Sequence, residues 1–195
     1  YVVSLTSELL GTGYGVPFGP YSYTSLLGAK WFNLVPLLIP LSWFTVSWSC
    51  WVIARRRTSG IAAILLSTFL LVAWDLLLDP AMSKVTSYWV WGEAGSYYGM
   101  PWSNLFGWGI TGLMLFVILS KIAPEPRSTL RFAFCVYSVN FSLPLGFCLL
   151  NGYWLAVIAA MGSACVAWAV AGGRPAHEIF SQSPAGKLPG SSRTA

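Results

Sequence analysis

The sequence predicts an all-α protein: a polytopic bundle of transmembrane helices, five complete spans plus a partial N-terminal one, with two elaborated loops on the non-cytoplasmic side. Composition, the length of the apolar runs and the placement of charge point to this class. Of 195 residues, 56% are hydrophobic and 9% charged, whereas a typical soluble domain carries about 25% charged residues. A hydrocarbon core of roughly 30 Å needs about 20 apolar residues to cross it. Residues 34–54, 61–79, 105–123, 132–150 and 152–171 each supply such a run.

Along the chain, residues 1–10, "YVVSLTSELL", read as the second half of a further span, and the chain opens on Tyr1. The expected catalytic bundle, residues 1–171, is therefore truncated at its N-terminus, and no basic leader precedes an apolar segment as in a signal peptide. Span 34–54 ends at the basic "ARRR". Span 61–79 ends at "WDLLLDP", where Pro80, lacking an N–H, closes the helix. Residues 172–195, rich in Gly, Pro and Ser, are expected to form a disordered cytoplasmic tail.

Charge orients the bundle. With "ARRR" in the cytoplasm, alternation places Arg55, Arg56, Arg57, Lys121, Arg127, Arg131, Arg174, Lys187 and Arg193 there too, leaving only Lys30 and Lys84 outside. The net charge of +5 is thus spent on topology and not on a nucleic-acid surface. Cys50, Cys135, Cys148 and Cys165 fall inside spans without paired spacing and read as packing residues. The single histidine, His177, lies in the tail, so ligation of haem or zinc by several histidines is excluded within this chain.

The loops from Gly11 to Asn33 and from Asp79 to Ser103 both emerge on the non-cytoplasmic side. "YGVPF" at 14–18 and "YGMPW" at 98–102 echo each other, either by chance in an aromatic-rich chain or as two hairpins flanking one site. "GTGYG" is not a nucleotide fingerprint, because its spacing is wrong and it follows a helix; its glycines serve a tight turn or close approach by aromatic rings.

Four acids mark the outer half of the bundle: Glu8, Asp75, Asp79 and Glu93. Carboxylates are costly in hydrocarbon, so acids in spans face an internal cavity and mark a functional path, and burial favours their protonated form. Asp75 and Asp79, four residues apart, share one helical face. Asp75 lies roughly 21 Å along the helix from Ile61, about two-thirds of the way across, where no cap or turn role exists. Asp79, before Pro80, serves either helix termination or chemistry. Glu8 lies near the end of a span, and Glu93 is either functional or a solvated loop residue.

Aromatic residues crowd these acids, among them Phe18, Tyr21, Tyr23, Trp74, Tyr98, Trp102 and Trp108. Some form an interfacial belt, yet acids among ring faces also suit a carbocation, which a desolvated ring stabilises by ~2 kcal/mol or more. Asn104 caps the next span or holds water, and Asn140, near Pro144, bonds a neighbouring helix or holds water.

"ELLGTGYGVPFGPYSYT" (8–24), "VPLLIPLSWF" (35–44), "WDLLLDP" (74–80) and "YYGMPWSNLFGW" (97–108) resemble the CruF-type carotenoid 1,2-hydratases, membrane enzymes of carotenoid biosynthesis. The resemblance covers residues 5–110 by motif and the later spans by hydropathy. It implies cofactor-free addition of water to the terminal C1=C2 double bond of an acyclic carotenoid end group, giving a tertiary alcohol. It also implies a prokaryotic cytoplasmic membrane, substrate arriving through the bilayer, and other enzymes of the pathway as partners. Physical inference then makes Asp75 the proton donor, Asp79 or Glu8 the base for water, and Tyr21, Tyr23, Trp74 and Trp108 walls for the cation. A carotenoid cyclase would capture the same cation with an internal double bond. A proton-coupled transporter would need acids on a path to both sides, and the cytoplasmic half has almost none.

Overall fold

Twenty residues from Gly60 to Asp79 form α3, the helix around which the others pack. The computed structural model describes residues 1–126 and 129–171; the expected tail with His177, Arg174, Lys187 and Arg193, and also Arg127, lie outside the described residues. Around α3 stand α2 (Leu38–Arg55), α4 (Trp102–Ile122), α5 (Leu130–Leu150) and α6 (Trp154–Ala171), while α1 (Val2–Tyr14) packs on α2 and α4. Apart from Asp75 and Asp79 near its end, the buried face of α3 is mainly apolar, and its hydroxyls are satisfied within the helix, Ser67 and Thr68 donating to the carbonyls of Ala63 and Ile64. Gly112 brings α4 close to α3, since a Cβ there would lie 3.2 Å from Leu71 Cδ2. Small residues permit this closeness between apolar helices.

Outward faces are apolar as well: Phe106, Met114, Val139, Leu143 and Ile158 are exposed. Among the described residues, three helices are long and apolar enough to cross a membrane: Gly60–Val85, Trp102–Ile122 and Leu130–Leu150. Such a surface suits lipid and would be a liability in water.

Several boundaries differ from expectation. The chain is mostly helical but not all-α. Residues 30–36 form a hairpin, β2 (Lys30–Trp31) against β3 (Val35–Pro36), so α2 starts at Leu38 rather than near 34. α1 continues past Gly11 to Tyr14 and stops where Gly15 adopts the left-handed conformation at φ 72°, which puts Glu8 in mid-helix. Pro80 ends the α-helical ladder without ending the helix, and a π turn, Pro80–Val85, carries the chain on. A proline breaks the i−4 pattern, and a wider turn accommodates that break. α4 begins at Trp102 after Pro101, which takes Asn104 out of the cap position and into the first turn.

The loops sort to two ends. At one, Arg55 pairs with Glu125 at 2.5 Å and Trp51 donates to the Ala123 carbonyl. At the other, β1 (Tyr21–Tyr23) pairs antiparallel with β4 (Trp89–Trp91), and Tyr98 packs on Tyr153 of the α5–α6 turn at 4.8 Å.

Candidate active site

Side chains alternate along a strand, and β1 and β4 use this to make a roof. Tyr21 stands opposite Trp91 and Tyr23 opposite Trp89, with ring centroids 5.7 and 6.0 Å apart. All four rings line the same cavity, while Ser22 and Val90 turn outward. Below the roof lie Glu8 from α1, Trp43 from α2, Asp79 from α3, and Asn104 and Trp108 from α4. The cavity measures about 30 Å³, room for a water molecule or two.

Glu8 is 3% exposed and fully engaged. Its Oε2 accepts from the phenols of Tyr21 and Tyr23, the latter at 2.7 Å, and its Oε1 accepts from Trp43 Nε1 at 2.8 Å. Burial, and then the charge of Glu8, push both phenols well above the ordinary tyrosine range, so they remain donors. Lys30 steadies this side of the roof by donating to the Tyr23 carbonyl at 2.5 Å. The Trp43 ring is held from behind, stacked on Trp108 with centroids 3.9 Å apart and planes 13° from parallel.

On the facing wall, Asp75 and Asp79 lie one above the other, as their spacing requires. The Asn104 amide bridges them, donating to Asp79 Oδ2 and, at 3.3 Å, to Asp75 Oδ2. The side chain of Asp79 makes no capping bond at the π turn. Asp75 has no exposed surface and lies behind Asp79, off the cavity wall, with its Oδ1 unpartnered. In the roof, the indole N–H of Trp91 has no hydrogen-bond acceptor, while that of Trp89 lies close to the Asp79 carboxyl.

Phe18 plugs one corner between two glycines. A Cβ at Gly11 would lie 2.7 Å from its ring and one at Gly107 2.4 Å from its ring and 3.0 Å from its Cα. Gly107→Val is therefore expected to cost ~1–3 kcal/mol through overpacking, visible as a lower unfolding midpoint in detergent. Trp74 lies outside the cavity, edge-on to Trp108, and its Nε1 donates to the Asn140 carbonyl at 3.2 Å. That carbonyl is available because Pro144, four residues on, has no N–H to offer it. The Asn140 side chain bonds its own helix at Val136.

The structure thus gathers Glu8, Asp75, Asp79, Asn104, Phe18, Tyr21, Tyr23 and Trp108 into one site. It leaves out four candidates, Trp74 behind Trp108 and three that lie further off. Glu93 is exposed in a neighbouring groove, Trp102 is 57% exposed at the start of α4, and Tyr98 accepts from the Leu155 amide beside Tyr153. The two similar pentapeptides occupy unlike positions, 14–18 leaving α1 and 98–102 entering α4. Trp43, Trp89 and Trp91 join the site without having been singled out as its walls. Among the described residues no group of three His, Cys, Asp or Glu side chains is placed to hold a metal ion.

Residues 1–167 match the family described as carotenoid biosynthesis protein. The chain is also 31% identical over 110 residues to the bisanhydrobacterioruberin hydratase of Haloarcula japonica, an alignment covering 54% of this chain and 37% of that protein. The chain thus spans little more than a third of that curated relative. No solved structure matches it.

Proposed function

We propose that this chain, which belongs to the carotenoid biosynthesis protein family, adds water to the terminal C1=C2 double bond of an acyclic carotenoid end group. One observation carries the reading: two carboxyl groups, Asp79 and Glu8, line one water-sized cavity walled by aromatic rings. The relative's name, a hydratase, favours the same reaction.

The two acids divide the work by their surroundings. Asp75 and Asp79 share Asn104 away from water, where two like charges cannot both persist, so the pair holds a proton between them. Asp79, the member on the wall, delivers that proton to C2, and Asp75 backs it; this moves the donor role from Asp75. The cation at C1 is held by the faces of the surrounding rings and by Glu8. Water, oriented by the unpartnered indole N–H of Trp91, attacks C1. It releases its proton to Glu8, whose two oxygens accept from Tyr21, Tyr23 and Trp43 and so face the cavity in a fixed orientation. Return of that proton to the aspartates closes the cycle, so the reaction consumes water alone. Expressed in cells accumulating an acyclic carotenoid, the protein should yield product heavier by one water per reacted end. Unchanged carotenoid would refute the reading.

The same reading has α2 to α6 crossing a prokaryotic cytoplasmic membrane and α1, 13 residues long, spanning it only in part, with the roofed end facing out and the Arg55–Glu125 end in the cytoplasm. Ser59 and Ser96 are both exposed, at opposite ends. Cysteines placed there should label from opposite sides of sealed vesicles, position 59 only from the cytoplasmic one. Labelling of both from one side would overturn the topology.

A further inference from the structure

A cavity of about 30 Å³ accepts water but not a branched end group, so hydration requires a way in. We infer that the polyene lies in an apolar groove between α2, α3 and α5 and passes its end group sideways into the acid cavity. The groove has a volume of about 330 Å³, within the range of built ligand sites. Ile39, Ser42, Leu78 and Trp89 line both the groove and the cavity, so they form the partition between them. Leu38, Val139 and Leu143, exposed at 59%, 68% and 61%, open its outer side toward lipid. Its lining carries no charge, and Trp74 presents its ring along it.

Two other openings fit this occupant poorly. The groove of about 230 Å³ on the far side of the Trp89–Trp91 strand carries Lys84 and Glu93, which suits water and protons. The groove of about 220 Å³ beside α1 meets the cavity only at Trp43. That ring is stacked on Trp108 and bonded to Glu8, so it cannot swing aside without unmaking the site. In the partition, by contrast, Ile39 and Leu78 are apolar side chains that hold no polar group of the site.

This path rests on the hydration reading, and its test separates the two. Leu143→Trp fills the apolar groove; Ile118→Trp fills the one beside α1. Purified proteins are given a long acyclic carotenoid and a short isoprenoid with the same terminal alkene, and hydration of each and retention of the long polyene are measured. In Leu143→Trp the ratio of long to short turnover should fall at least tenfold, along with retained polyene, while Ile118→Trp keeps the wild-type ratio and retention. A ratio and retention unchanged in Leu143→Trp, equal losses on both substrates, or a lowered ratio in Ile118→Trp would overturn the path while leaving hydration intact. Wild-type protein that retains the polyene but hydrates neither compound would overturn hydration and, with it, the delivery step.

Discussion

Asp79→Asn is expected to lower hydration by about 10²–10⁴-fold, the usual contribution of a positioned acid, while the bundle stays folded. The substitution keeps the shape of the side chain and can still accept from Asn104, which bridges Asp79 and Asp75. It removes the only aspartate on the cavity wall. Asp75→Asn should cost less, because that residue acts through Asp79 and does not face the cavity. Turnover per folded protein, with folding checked by a monodisperse elution profile, decides the order. Full activity in Asp79→Asn, or a larger loss in Asp75→Asn, would return the donor role to Asp75 or remove it from the pair.

Glu8→Gln should slow hydration by about 10²-fold through loss of the base, with folding largely retained because an amide oxygen can still accept. Glu8→Leu should instead destabilise the protein. It strands three buried donors, Tyr21, Tyr23 and Trp43, each costing ~1–3 kcal/mol when left without a partner. The contrast matters because a purely structural Glu8 would tolerate Gln with activity intact. Unfolding midpoints and turnover of the two variants separate the roles.

What could be read in advance followed from physical signals of different strength. Asp75 and Asp79 are conspicuous because an acid in an apolar run has no cheap explanation, and their spacing of four already places them together. Helices α3 to α6 are legible from apolar length alone. The roof is not: Tyr21–Tyr23 and Trp89–Trp91 are strands of three residues, too short for an alternating pattern to stand out from an aromatic belt. Their pairing joins segments far apart in sequence, which local pattern cannot announce. Glu93 and Trp102 show the converse error, since nearness along the chain to site residues did not bring them into the cavity. Trp43 was hidden because an indole inside a span looks like packing until its N–H is seen to reach Glu8.

The central claim is that Asp79 and Glu8 together add water to an alkene, and isotopes test it most directly. In ¹⁸O-labelled water without molecular oxygen, the alcohol should carry one labelled oxygen per reacted end. In deuterated water, one non-exchangeable deuterium should appear on C2, the carbon beside the alcohol carbon, where Asp79 delivered its proton. A cyclised product without oxygen would show that an internal double bond captured the cation. A hydroxyl that forms only in air and stays unlabelled would contradict the account altogether.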